Sequence, residues 1–164
     1  MRRLVVALGV VAALVAPACS RGGSKPSLDA RASSTTVREP NATIVIGGTT
    51  YVFVMTCYAP GAGAVVAVGT GTDPVSSRPT RALVQAFFND PYVGVTVGDK
   101  ESVFEPTLAE PVELTFQDNV VHGADITFVR NLDIAARVGE PAGLGSVTVT
   151  CTDYHAGLPP GYGS

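Results

Sequence analysis

Residues 43–57 read TIVIGGTTYVFVMTC, and this stretch predicts a β-hairpin. The pair Gly47-Gly48 separates two runs rich in β-branched and aromatic residues, as in a hairpin closed by a two-residue turn. In the second run, the residues of one parity are Tyr51, Phe53, Met55 and Cys57. We therefore expect 43–46 and 49–57 to be paired strands, with this parity facing a core.

Further strand-like runs follow, each bounded by Gly, Pro, Asp or Asn. They span residues 64–70, 81–88, 93–97, 112–116, 126–130 and 146–151. The run at 81–88 also fits a short helix, but its alternating apolar residues favour a strand. Seven or eight short strands predict an all-β domain over residues 41–152, either a small antiparallel sandwich or a partly open barrel. Residues 153–164 are expected to form a disordered tail.

The N-terminal residues have the features of an export signal. Two arginines precede an apolar run at 4–16, LVVALGVVAALVA. This run is shorter than the roughly 20 residues of a transmembrane helix and is typical of a signal peptide, predicted at 1–18. The next residues, Ala16-Pro17-Ala18-Cys19, leave two outcomes open. They resemble the lipobox of bacterial lipoproteins, in which the cysteine is acylated, and they also form an A-x-A site for ordinary signal peptidase.

The number of cysteines bears on this choice. The chain has three, Cys19, Cys57 and Cys151, and an odd number in an exported protein suggests one disulfide and one cysteine with another fate. Cys57 and Cys151 fall on the apolar parity of their strands, so we expect a disulfide between them, which would close the domain; two buried thiols are the alternative. Acylation of Cys19 accounts for the third cysteine, and two acyl chains suffice for stable membrane anchoring.

Residues 19–40 are expected to be a flexible tether, because they are rich in Ser, Thr, Gly and Pro and show no apolar period. A coil of this length spans roughly 25 Å. Ser33, Ser34, Thr35 and Thr36 are candidates for O-glycosylation. Asn41-Ala42-Thr43 matches the N-glycosylation pattern, which we attribute to chance in a bacterial lipoprotein.

Charge and motifs exclude several function classes. The net charge of −3 argues against nucleic-acid binding, which requires a basic face. No motif of a hydrolase, a nucleotide-binding loop or a zinc protease is found. His122 has Asp118 and Asp125 nearby, which could form a metal site, but we favour a turn-capping role for it. His155 is expected on the surface. We predict no enzyme activity, no metal and no cofactor.

Two groups of residues suggest less favoured functions. The first group consists of four acidic residues, Glu101, Glu105, Glu110 and Glu113. Paired carboxylates can act in glycosidases, but such sites need an aromatic-lined cleft, and this chain has no Trp. We therefore expect these residues to form a solvated acidic edge. Large aromatic residues could line a cavity of at least ~300 Å³ and so make the domain a carrier of an apolar ligand or lipid. They are Phe87, Phe88, Tyr92, Phe104 and Phe116.

The order of several segments resembles the mycobacterial 19 kDa lipoprotein antigen family. Besides Cys19 and Cys57, they are AVVAVGTG at 64–71, GVTVG at 94–98, ITFVRNLD at 126–133 and SVTVTC at 146–151. The resemblance implies a non-enzymatic, acylated and sometimes glycosylated antigen on the outer side of the cell membrane. It also implies recognition of acylated Cys19 by host innate receptors, or contact with envelope components. We expect the chain to be a monomer anchored in the membrane through acylated Cys19.

Overall fold

A computed structural model describes residues 38–162. This part of the chain contains ten β-strands and no helix. The strands are β1 (Ala42–Ile46), β2 (Thr49–Gly61), β3 (Ala64–Thr72), β4 (Pro79–Ala86), β5 (Tyr92–Val97), β6 (Ser102–Pro106), β7 (Thr115–Gln117), β8 (Val120–Asp133), β9 (Val138–Thr150) and β10 (Tyr154–Ala156). Residues 38–162 accordingly include no helix long and apolar enough to cross a membrane.

Eight of the strands close into an antiparallel barrel. Hydrogen-bonded neighbours follow the order β1-β9-β8-β6-β5-β4-β3-β2, and β1 also pairs with β2, which completes the circle. β7 pairs with β8, and β10 pairs in parallel with β2, both outside this circle. Closure gives every barrel strand two neighbours and so removes exposed sheet edges. The predicted all-β fold is confirmed, as a barrel rather than a sandwich.

The two ends of the barrel differ in what they carry. The turns β1–β2, β3–β4, β5–β6 and β8–β9 lie at one end, which we call the mouth. Cys57 and Cys151 lie near the opposite end, which we call the disulfide end. Strands β1 and β2 meet at Gly47 and Gly48, with φ of 55° and 83°, as a tight hairpin turn requires. The predicted hairpin at 43–57 is confirmed.

Alternate side chains of the strands fill the barrel. The inward parity of β2 is the predicted one, and Phe53 is only 1% exposed. The largest fully buried side chains include Phe53, Phe128, Ile44 and several valines. An eight-stranded barrel has an interior just wide enough for side chains. The interior formed by residues 38–162 is therefore a packed core.

Some predicted boundaries differ from the structure. The run at 81–88 is a strand, as predicted, and forms most of β4. Of the run at 112–116, only its end belongs to β7, yet Val112, Leu114 and Phe116 all pack against the core. Strand β6 was not predicted, and β8 and β9 extend well beyond the predicted runs because register shifts interrupt their alternation. A two-residue period identifies inward side chains even where no ladder forms.

The prediction of a disordered tail at 153–164 is wrong for most of this segment. Tyr154–Ala156 form β10, and Pro159 is buried. The hydroxyl of Tyr162 donates to the side-chain carbonyl of Gln85 on the outer face of β4. The C-terminal segment is thus held against the outside of the barrel, and residues 163–164 lie outside the described residues. Local polarity gave no sign of these long-range contacts.

Candidate functional site

Several predicted sites lie outside the described residues. These are Cys19, the signal peptide at 1–18, and the candidate O-glycosylation sites Ser33, Ser34, Thr35 and Thr36. The described part of the tether is limited to residues 38–40, which are exposed. These sites therefore stay predictions.

The predicted disulfide between Cys57 and Cys151 is confirmed. Cys57 lies in β2, Cys151 follows β9, and both are at most 2% exposed. In the barrel, β1 lies between β9 and β2. The disulfide joins these two strands to each other just past the end of β1 at Ala42. The disulfide engages both domain cysteines, so Cys19 is the one cysteine of the three outside this bond.

Asn41 links the same two strands by hydrogen bonds. Its side-chain amide donates to the carbonyl of Met55 (3.1 Å) and to that of Thr150 (2.9 Å). Its side-chain oxygen accepts from the backbone N–H of Met55 at 2.7 Å. The amide nitrogen that a sugar would occupy is thus used to hold β2 and β9 together. Asn41 therefore has a structural role in the barrel.

The two histidines lie on different strands and have different neighbours. His122 lies in β8 rather than in a turn, so the predicted turn-capping role is wrong; its Nδ1 lies 3.4 Å from the hydroxyl of Thr148. His155 is exposed in β10, with its ring 5.3 Å from that of Tyr58. Within residues 38–162, no three His, Cys, Asp or Glu side chains are grouped to hold a metal ion.

The four glutamates are dispersed and have different partners. Glu101 forms an ion pair with Arg78, and Glu110 accepts a hydrogen bond of 2.6 Å from Thr127. Glu113 is exposed. Glu105 is half-buried and accepts from the hydroxyl of Tyr92, so the predicted solvated edge is wrong for this residue. Such a distribution does not form the facing carboxylate pair of a glycosidase.

The five aromatic residues do not line a common cavity. Phe104 and Phe116 pack against the core, whereas Phe87 is half-buried and Phe88 is 98% exposed. Tyr92 lies on the outer face of the barrel. Any site for an apolar ligand must therefore be sought on the surface.

Strands β2 to β5 form a groove on the outer face of the barrel, which we call the outer groove. Register places Thr56, Val68, Leu83 and Gly94 side by side across the four strands. A volume of about 630 Å³ lies above this row. An adjoining volume of about 540 Å³ shares Val68, Leu83 and Tyr92 and is bordered by the C-terminal residues 159–162. Both volumes fall in the range typical of small-molecule sites, roughly 300–1,000 Å³.

Tyr92 forms one wall of the outer groove. Its ring lies over Gly94, where an added Cβ would come within 2.5 Å of the hydroxyl oxygen. The glycine thus allows the tyrosine to lie along the sheet and to donate to Glu105 on β6. Burial raises the pKa of Tyr92, and the hydrogen bond and charge of Glu105 raise it further. The phenol is therefore a fixed, neutral wall near neutral pH.

Two arginines line the first volume of the outer groove, and neither lines the second. Arg38 donates to the hydroxyl of Thr56 at 3.5 Å, and Arg81 extends from the adjacent row of β4. Neither has a carboxylate partner among residues 38–162, whereas Arg78 and Arg130 form ion pairs. The second volume is lined by Asp90, whose carboxylate accepts from Gln85 at 3.1 Å. The first volume of the outer groove is thus cationic, and the second carries an acidic residue.

A second pocket, of about 430 Å³, lies at the mouth of the barrel and includes Tyr51, Asp73 and Phe104. A hydrogen bond from the Ser76 hydroxyl lowers the pKa of Asp73, although burial opposes this change. Burial raises the pKa of Tyr51, and the charge of Asp73 adds to the effect. Because its carboxylates and arginines are already hydrogen-bonded or ion-paired, the mouth pocket offers less for a ligand than the outer groove does.

The outer groove was not identified from the sequence. Its signal was the apolar character of Val54, Val68 and Leu83, which occupy the outward parity of their strands. In a barrel that is solvated outside, this parity is normally polar. The contribution of residues 159–162 had no local signal, because it depends on how the chain returns to β4.

Comparisons with known proteins give no match. No family model, no curated protein and no solved structure matches the chain. Its function must therefore be argued from its own residues.

Proposed function

We propose that this chain is a non-enzymatic, lipid-anchored protein of the bacterial cell envelope. The observation that carries the proposal is the disulfide between Cys57 and Cys151, which leaves Cys19 as the one cysteine outside the pair. Cys19 follows a signal-like apolar run and a small residue, as an acylated cysteine does in lipoproteins. Acylation at Cys19 would fix the chain to the extracytoplasmic face of the membrane.

The remaining residues fit a domain displayed on a tether. Residues 19–40 would separate the barrel from the lipid headgroups by roughly 25 Å. A disulfide is expected in a domain that works outside the cytoplasm, where thiols are oxidised. Hydroxyl groups at Ser33–Thr36 are available in this tether for glycosylation.

Membership of the mycobacterial 19 kDa lipoprotein antigen family belongs to the same proposal. It is supported by the order of the cysteines and strand segments, and in particular by the terminal SVTVTC at 146–151. The barrel would then be a surface-exposed antigen, with acylated Cys19 recognised by host innate receptors and the domain contacting envelope components. No nucleic acid and no catalytic step are part of this proposal.

The carrier function is a second candidate, and the outer groove favours it. A carrier with its ligand inside the barrel is disfavoured, because buried side chains such as Phe53 and Phe128 occupy the interior. A groove with an apolar floor instead offers a site on the outer face.

The anchoring proposal is tested by detergent phase partitioning of cell extracts. Wild-type protein should enter the detergent phase, and Cys19→Ser should move to the aqueous phase because the acylated sulfur is lost. Ser20→Ala is the matched control, since it changes the adjacent residue but keeps the thiol, and it should partition like wild type. Equal partitioning of Cys19→Ser and wild type, with residues 1–18 shown by mass to be removed from both, would refute anchoring through Cys19.

A further inference from the structure

We propose that the outer groove binds a single-chain amphiphile with an anionic head, with the head at Arg38 and Arg81 and the alkyl chain along Val68, Leu83 and Tyr92. This proposal rests on the carrier candidate, whose ligand class it names, and it does not depend on membrane anchoring, because neither Cys19 nor any residue of the signal peptide lines the groove.

Charge complementarity selects the head. The domain at 41–164 is acidic, yet Arg81 from this domain and Arg38 just before it line the first volume of the outer groove, without carboxylate partners in the described part of the chain. Guanidinium groups form strong hydrogen bonds with phosphate and carboxylate. The threonine hydroxyls of Thr56, Thr70 and Thr96 line the same part of the groove and can donate to the head.

The shape and polarity of the groove set the direction of the ligand's alkyl chain. From Arg81 to Gln85 the groove follows about four residues of β4, or about 13 Å at the usual rise per residue. Val68 and Leu83 form an apolar floor between these two positions. Asp90 in the second volume repels an anionic head, so the head belongs at the arginines and the chain points away from them.

The C-terminal segment supplies the wall beside the alkyl chain. Pro159, Pro160 and Tyr162 border the second volume, and Tyr162 is fixed by its hydrogen bond to Gln85. Tyr92 of β5 pairs with Gln85 of β4, and its hydroxyl donates a hydrogen bond to Glu105 that fixes the ring. A groove whose walls are already in place binds at a low cost in ordering.

The test is titration calorimetry on the exported chain carrying Cys19→Ser, which removes the protein's own acyl groups. Dodecyl phosphate, kept below its micelle concentration, is the probe. Dodecyl maltoside has the same chain with a neutral head, inorganic phosphate has the head alone, and phosphatidylglycerol vesicles present a membrane surface. We expect saturable binding of one dodecyl phosphate, at least about tenfold tighter than binding of dodecyl maltoside or phosphate.

Variants separate the head from the chain. Arg38→Gln/Arg81→Gln should lower the affinity for dodecyl phosphate by about tenfold, to the affinity for dodecyl maltoside. Lys100→Gln/Arg137→Gln removes the same charge outside the groove and should leave binding unchanged. Leu83→Gln changes a residue on the outer face, so it should lower the affinity for both amphiphiles without unfolding the barrel.

Three outcomes would overturn the proposal. If inorganic phosphate binds as tightly as dodecyl phosphate, the groove holds only an ion. If vesicles bind and the monomeric amphiphile does not, the face contacts a membrane surface rather than a single chain. If the two double variants bind dodecyl phosphate equally well, the arginines of the groove do not recognise the head.

Discussion

Cys57 and Cys151 are 94 positions apart in the chain, and their disulfide brings their Cα atoms to 5.8 Å. The loop between them contains the end of β2 and all of β3 to β9. The bond therefore encloses most of the barrel, at the end where the chain enters β1 and leaves β9.

Removal of this bond should cost much of the stability of the domain. Closing a loop of this length is worth about 4–5 kcal/mol in the chain-entropy model. Cys57→Ala/Cys151→Ala should therefore lower the free energy of unfolding by about 4 kcal/mol, measured by urea denaturation. A reductant should destabilise wild type and leave the double variant unaffected. A loss below about 1 kcal/mol would contradict the proposed role of the disulfide.

Asn41 should be a structural residue and not a glycosylation site. Asn41→Asp replaces the donor to Met55 and Thr150 by an oxygen, which faces their carbonyls. We expect a loss of about 2 kcal/mol in unfolding free energy. Asn89→Asp, the same change at an exposed loop residue, is the control and should have little effect. Equal stability of the two variants would contradict the role of Asn41.

Tyr92 should make the barrel sensitive to alkaline pH. Its pKa is raised in the folded state, so folding favours the neutral phenol. The stabilisation is fully present below about pH 10, the pKa of an unfolded tyrosine, and decreases above it as the unfolded chain ionises.

Tyr92→Phe should remove this part of the pH dependence, which has a slope of up to about 1.4 kcal/mol per pH unit. Glu105→Gln, which keeps an acceptor but removes the charge, should give an intermediate slope. Unfolding by urea at pH 9 to 11 measures the effect. An identical slope for wild type and Tyr92→Phe would contradict the buried position of the phenol.

The C-terminal segment should be ordered and should protect the outer face. Val66 faces outward from the barrel, yet it is 0% exposed. It pairs with Gln85, to which the hydroxyl of Tyr162 donates a hydrogen bond. A chain that ends at Leu158 should therefore show faster amide exchange in β3 and β4. Tyr162→Phe keeps the ring and should have a smaller effect. Unprotected amides at 154–156 in wild type would support the disordered tail instead.

Much of the core could be predicted from the sequence, because inward residues alternate. The parity of Tyr51, Phe53, Met55 and Cys57 gave the inner face of β2, and the same rule placed both disulfide cysteines inside. The rule also holds at 112–116, where little of the run is a strand.

The remaining features depend on contacts between distant residues. Closure requires the pairing of β1 with β9, about a hundred positions later, which no local pattern specifies. The bulge between Gly123 and Ile126 breaks the alternation that would have marked the full length of β8. The outer groove arises from register across four strands and from a returning C-terminal segment.

The central claim, an acylated Cys19 and a disulfide-closed barrel in one chain, is tested most directly by one measurement. This is the intact mass, without reduction, of the protein extracted from its native membrane. The account predicts a chain that begins at Cys19, carries acyl groups, and lacks two hydrogens because Cys57 and Cys151 are joined. An unacylated chain that begins at Cys19 would show that the A-x-A site is used, and would contradict anchoring.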